Sequence, residues 1–229
     1  RAGGSARGAG QLVYGAAVLT PFQPRFGAGD VDVQRQERSF SGYFSVDTLT
    51  LRHRLHSGEW SDSMRREVFQ RGDAVAVLPW DMATDELVLI EQLRVGAIRD
   101  NDSPWMLELI AGIVEEGESD INVAHREADE EAGCILGRLE SIATFYPSAG
   151  ACSEQIRVFV GELVSAKPGT IQGLDSEHED ILVHQFPRHT VLAMLDQGQI
   201  NNGHTLIALY WLARHGERLR AAWLDDQND

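Results

Sequence analysis

Between residues 112 and 134 the hydrophobic period changes once, from strand to helix, and glycine brackets the change. The stretch reads Gly112, five residues, Glu118, seven residues, then Arg126-Glu127-Ala128-Asp129-Glu130-Glu131-Ala132-Gly133-Cys134. Ile121, Ala124, Ala128 and Ala132 recur at helical spacing, which predicts one helix over 119–132. Ser119 and Asp120 are suited to cap its start and Gly133 to stop it. On that helix Glu127 and Glu131 are four residues apart, so their carboxylates project only about 40° apart around the axis. Glu130 flanks the same face, and Arg126, four residues before it, is placed to hold it. Carboxylates crowded in this way repel and raise one another's pKa unless a divalent cation joins them. Mg²⁺ suits hard oxygen donors and bridges to substrate phosphates, so it is the expected ion. Glu and Arg at helical spacing also decorate many solvated helices. Here the two glycines and the isolated Glu118 fall at fixed offsets around the block, and that separates a site from a decorated face. An EF-hand loop is excluded, because it needs alternating Asp or Asn around a central Gly in an irregular turn.

Around this helix the chain alternates strands and turns. Residues 31–52 read as β-rich, with Val31 and Val33 alternating with Asp32 and Gln34. Residues 66–71, 74–79 and 86–94 read as strands, the last two joined by a turn at 81–85. Residues 105–110 read as a short, apolar, buried segment. Beyond the helix, 138–146 and 155–164 read as strands, a polar loop spans 169–180, and 181–186 is a further strand. Helices over 187–197 and 203–215 complete the pattern, the second with Leu206, Leu209, Tyr210 and Ala213 inward. The expected architecture is α/β (α+β), a mixed sheet between helices preceded by a small N-terminal antiparallel β domain. Its parts are a flexible segment 1–25, a β domain 26–72, a catalytic domain 73–223 and a tail 224–229.

Composition narrows the partners. A formal net charge of −15 excludes phosphate-backbone recognition of nucleic acid, which needs clustered Lys and Arg. The same charge fits a surface that gathers divalent cations before meeting an anionic substrate. The only cysteines are Cys134 and Cys152, outside any CxxC pair, so a disulfide framework and a structural zinc site are not expected. A reducing cytoplasm is the default setting, and no apolar run has the length of a membrane span.

The 112–134 string resembles the signature of the Nudix family. Ala128 and Cys134 fill its apolar slots with small residues, a departure at buried positions that leaves the chemistry untouched. Residues 44–46, 65–69, 89–94, 104–118 and 173–184 extend the likeness to the bacterial ADP-ribose pyrophosphatase subfamily, over about 26–223. The resemblance implies an α/β/α sandwich and a homodimer whose N-terminal β domain reaches the partner. It implies Glu127 and Glu131 as metal ligands, with the backbone carbonyl of Ala111 and with Glu179, for Mg²⁺ or alternatively Mn²⁺. It places Glu130 and Arg126 among the catalytic residues and the base at Glu177, in the acidic loop 173–180 that would otherwise read as a solvated surface. Arg94, Arg66, Tyr43 and Glu154 fall at substrate-contacting positions, Arg66 donated by the partner subunit. The implied reaction is hydrolysis of the pyrophosphate bond of ADP-ribose to AMP and ribose 5-phosphate. Two alternatives stay open at this point: another nucleoside diphosphate sugar, and a sensor that binds ADP-ribose without cleaving it.

Overall fold

The computed structural model describes residues 21–99 and 103–225, so the expected segment 1–25 and tail 224–229 lie mostly outside the described residues. Eleven strands are present among them: β1 (Val31–Ser41), β2 (Ser45–His53), β3 (Met64–Gln70), β4 (Ala74–Asp81), β5 (Glu86–Leu93), β6 (Trp105–Glu108), β7 (Ile110–Ile113), β8 (Ile135–Phe145), β9 (Ile156–Ser165), β10 (Ile171–Gln172) and β11 (Ile181–Pro187). Three α-helices accompany them: α1 (Asp120–Ala132), α2 (Arg188–Asp196) and α3 (Gly203–Asp225). Strands β1, β2 and β3 form a three-stranded sheet. The others form an eight-stranded sheet in the order β10-β11-β5-β4-β9-β8, with β6 paired to β5 and β7 to β4. Only β4 and β9 run parallel among its described pairings, and the rest are antiparallel, so the sheet is mixed.

The contacts divide the chain into two compact units. One is Leu49–Arg65 with the residues up to Gln36; the other is Glu37–Thr48 with Arg66–Asp229. In the first, Arg52 pairs with Asp32 at 2.8 Å and its guanidinium stacks over Trp60. The second holds the large sheet, both of its cores and every predicted site residue.

Strand β4 explains the layering. Its side chains alternate between the two faces of the sheet. Ala74, Ala76, Leu78 and Trp80 join Val191, Leu195, Leu209, Leu212 and Trp223 from α2 and α3 on one face. Val75 and Val77 join Val123, Ala124, Ala128 and Ala132 from α1 on the other. A strand buried on both faces reads as continuous apolar sequence, as 74–80 does. The result is a sheet with α1 against one face and α2 and α3 against the other.

Three expectations need correction. Ile121 does not join the buried stripe of α1; it is exposed, and Val123 takes the inward position. Segment 105–110 is not one buried run. Trp105 is exposed, Glu108 is fully buried, and the chain changes partner at Leu109, from β5 to β4. Helix α3 passes His215 and continues to Asp225, because Leu219 and Trp223 return apolar surface to the core; Tyr210 and Ala213, expected inward, face outward.

Candidate active site

Helix α1 begins where the Ser119 hydroxyl accepts the Asn122 amide at 3.3 Å, and ends at Gly133 in the left-handed conformation with φ 55°. Its register drives Glu131 inward beside Ala124, Ala128 and Ala132, where it is 4% exposed. A carboxylate there needs a donor. The Ala111 amide supplies one, donating to Glu131 Oε2 at 3.0 Å. Ala111 faces Ala76 on β4, and in an antiparallel pair the N–H and C=O of one residue point the same way. Since its N–H turns from β4 towards Glu131, the Ala111 carbonyl opens towards α1 as well. Burial, followed by the charges of Glu127 and Glu179, pushes the Glu131 carboxyl up to about 8, despite the Ala111 hydrogen bond and the Arg94 charge.

Glu127 lies against Gly112. A Cβ at 112 would stand 2.6 Å from Glu127 Oε2 and closer still to Cδ and Oε1. The glycine is therefore the seat of this carboxylate. Burial raises the Glu127 pKa; Arg126 opposes that, and Glu130 and Glu179 add to it. Arg126 is the hub. It donates to Glu118 at 2.9 and 3.0 Å, to Glu127 at 2.7 Å, to Glu130 at 3.0 Å and to the Ile113 carbonyl at 3.4 Å. The Glu118 hydrogen bond leads the interactions that raise the pKa of Arg126, and the same bond lowers that of Glu118. The spacing in the sequence thus becomes one guanidinium bound to three carboxylates, with Glu131 behind them.

The acidic loop meets this group from the other side. Gly173, at φ +104°, donates its amide to the Glu130 carbonyl at 3.1 Å, and a Cβ there would stand 2.6 Å from the Glu179 Cβ. Glu179 accepts the Leu174 amide at 3.0 Å, and its charge reaches both Glu127 and Glu131. Glu177 is exposed at the end of a single 3-10 turn, Asp175–Glu177, and hydrogen-bonds through its backbone to Leu174. His178 follows it, exposed, at φ 56°.

Of the expected substrate contacts, Arg94 follows β5 and donates through Nε to the buried Glu108 at 2.6 Å. Glu154 is buried, its pKa raised by that burial, and stands 3.3 Å from Arg71. Tyr43 is exposed at the turn between β1 and β2, edge-on to Phe44. It borders a cavity of about 300 Å³ lined also by Arg38, Phe44, Gln70, Arg71 and Ile113. Arg66 is exposed on β3, outside the ion pairs of Arg126. Sequence reading missed Arg71, which no spacing marks. It also missed Glu108, although a lone Glu inside an apolar run was a readable signal.

The donor chemistry suits a divalent cation. Among the described residues no group of three His, Cys, Asp or Glu side chains is arranged to hold a metal ion. Mg²⁺ does not need one, since it is usually held by one or two carboxylates, with water and substrate phosphate completing its shell. Glu127, Glu131 and the Ala111 carbonyl are hard donors of this kind and could hold it, and the charge of Glu179 acts on both carboxylates.

A NUDIX domain model matches residues 70–206. The chain belongs to the Nudix family. The Nudix match takes in both the α1 cassette and the acidic loop. Relatives named ADP-ribose pyrophosphatase are 43% identical over 198 residues in Escherichia coli, covering 86% of this chain and 95% of theirs. In Haemophilus influenzae the figure is 36% over 201 residues, covering 86% and 93%. A GDP-mannose pyrophosphatase of Escherichia coli is 30% identical over 171 residues, covering 74% and 88%. The fold matches a crystal structure of an ADP compounds hydrolase at TM-score 0.62 and 21% identity, covering 86% of this chain and 96% of that one. As a Nudix protein the chain is a mixed α+β pyrophosphohydrolase, of a family that generally uses divalent metal ions.

Proposed function

We propose that this protein hydrolyses the pyrophosphate bond of ADP-ribose, giving AMP and ribose 5-phosphate, with Mg²⁺ as its ion and Mn²⁺ as a substitute. The observation that carries the reading is the 43% identity to ADP-ribose pyrophosphatases across 95% of their length. We propose further that it acts as a cytoplasmic homodimer in which residues 26–72 form the dimerising β domain.

Glu127, Glu131, the Ala111 carbonyl and Glu179 would hold a divalent cation, which when bound would supply neutralising charge to the diphosphate and lower the pKa of a bound water. The residues of the chain do the rest. Arg126 keeps Glu127 and Glu130 from turning away, so the platform stands before substrate arrives. Arg94 and Arg66 add positive charge to the substrate's anionic centre, and Tyr43 and Glu154 take the nucleoside end. Glu177, exposed on a short turn two residues from Glu179, accepts the proton of water as the general base. A base on a loop reaches its working position when substrate is present, which limits idle hydrolysis.

The test is a substrate panel with Mg²⁺: ADP-ribose, GDP-mannose and other sugar nucleotides, dinucleoside polyphosphates and nucleoside triphosphates. ADP-ribose with the highest kcat/KM is expected. The second reading, GDP-mannose, is favoured by the relative at 30% identity and wins if that substrate leads. Binding without turnover of any compound identifies a sensor. Glu177→Gln should lose turnover by about 100-fold or more while metal and substrate still bind; normal turnover in that variant refutes the base.

A further inference from the structure

Glu108 is the one charged residue in the run 105–110, and it is fully buried. Burial raises its pKa, opposed by Arg94 and Asn202. A buried carboxylate is a poor source of stability, since its desolvation offsets most of what its ion pair returns. Its partners point to another use.

Arg94 Nε donates to Glu108 Oε2 at 2.6 Å, and Asn202 Nδ2 donates to Oε1. Asn202 Oδ1 accepts the Thr205 amide at 3.3 Å and the Thr205 hydroxyl at 3.1 Å. The Thr205 oxygen in turn accepts the Leu109 amide at 3.1 Å. Each proton in this chain has one direction. The Leu109 amide can only donate, so the Thr205 hydroxyl passes its own proton to Asn202 Oδ1. That fixes the Asn202 amide with Nδ2 towards Glu108. Glu108 therefore faces donors on both oxygens and is bound as an anion, with its plane set by the start of α3.

Arg94 is held at its backbone and at Nε. Its amide donates to the Pro104 carbonyl at 2.9 Å, its carbonyl accepts the Ala97 amide at 2.9 Å, and its Nε is taken by Glu108. Nη1 and Nη2 have no partner among the described residues, and the side chain is 39% exposed. The charge of Arg94 acts on Glu131, which puts the guanidinium within electrostatic range of that carboxylate. A planar guanidinium held at Nε presents its remaining edge as a rigid two-pronged donor, the geometry that grips a phosphate.

We propose that Glu108 and Asn202 are positioning residues, which hold the Nη edge of Arg94 in one orientation for the diphosphate of the substrate beside Glu127 and Glu131. The assignment rests on the proposed cleavage of a nucleoside diphosphate sugar. Glu108 touches no reacting atom; it acts through Arg94 alone.

The experiment is a double-mutant cycle on kcat/KM with wild type, Glu108→Gln, Arg94→Ala and the double variant, with thermal midpoints measured alongside. Arg94→Ala is expected to lose about 100-fold, and Glu108→Gln about 10-fold or more, because small misplacements of a phosphate-binding group are costly. In the Arg94→Ala background Glu108→Gln should lose nothing further. Losses that multiply, or wild-type kcat/KM in folded Glu108→Gln, overturn the proposal. Should Glu108→Gln fail to fold, Asn202→Ala replaces it in the cycle with the same two outcomes. If wild type prefers GDP-mannose, the substrate assignment fails and the cycle is run on GDP-mannose. If wild type cleaves nothing, the hydrolytic reading fails, and the cycle is read from calorimetric affinity for ADP-ribose. Coupling there supports the positioning role, and independent losses, or no binding by wild type, overturn it.

Discussion

Substituting alanine for Gly112 adds one methyl group where the structure has Glu127. That Cβ would lie 2.6 Å from Oε2 and closer to the other carboxylate atoms, whereas unstrained contacts need about 3.5 Å. The carboxylate must therefore retreat by about 1 Å or more. Gly112 does not occupy the left-handed region, so alanine costs nothing in backbone strain and relieves some chain entropy, worth about 0.5–1 kcal/mol. Against this stands the Arg126–Glu127 hydrogen bond at 2.7 Å, whose loss costs about 1 kcal/mol. These nearly cancel, so the melting temperature should move by no more than about 4 °C. Activity should not be spared, because about 1 Å of displacement at a reacting centre costs on the order of 100-fold in rate. Thermal melts and Mg²⁺ titrations of ADP-ribose turnover measure the two effects. A small thermal shift, a raised Mg²⁺ requirement and a roughly 100-fold lower kcat are expected. Wild-type kcat and Mg²⁺ dependence in Gly112→Ala would show that Glu127 does not work from this seat.

Glu131 gives a pH prediction. Its carboxyl is raised in the fold to about 8, so its contribution to stability is complete below the unfolded value of 4.5 and is lost as pH rises through about 8. In chelator, the urea midpoint of wild type should fall across that window, while Glu131→Gln, which keeps an acceptor for the Ala111 amide, should not follow; parallel curves would refute the assignment. Asp85 accepts Trp80 Nε1 and Arg188 Nε, each at 2.9 Å, and sits at φ 59°. Asp85→Ala orphans the indole N–H of fully buried Trp80, so it should cost about 1–3 kcal/mol by denaturant titration, with Asp85→Asn losing less. Burial raises the Asp85 pKa but the Arg188 and Trp80 hydrogen bonds outweigh it, so the net shift is downward. That contribution is therefore complete above pH 3.8 and is lost as pH falls through the lower folded value; a wild type and Asp85→Ala difference that is unchanged in acid would refute it.

The strands and helices that carry one dominant periodicity were legible from residues alone. Helix α1 was readable because its cap, its stop and its small apolar positions agree. Strand β4 was readable because burial on both faces leaves an unbroken apolar run. The errors fall where a neighbour outside the local window decides. Ile121 has the right spacing for the core, yet it is exposed in the first turn of α1 while Val123, two residues on, is fully buried. The end of α3 is set by Leu219 and Trp223 meeting residues far away in sequence, and so is the break at Leu109, where one short segment serves two strands.

The glutamate cassette divides along the same line. Spacing alone put Glu127, Glu130 and Glu131 on one side of one helix and Arg126 within reach, because helix geometry is local and its period is fixed. The tertiary structure decided that Glu131 is buried against the Ala111 amide, that Gly112 seats Glu127, and that Gly173 draws Glu179 towards both. It also brought Arg94, Glu108 and Asn202 together from three separate stretches of chain. Burial and hydrogen-bond partners depend on how distant segments pack, and a one-dimensional pattern carries the period of an element but not the identity of what it will face.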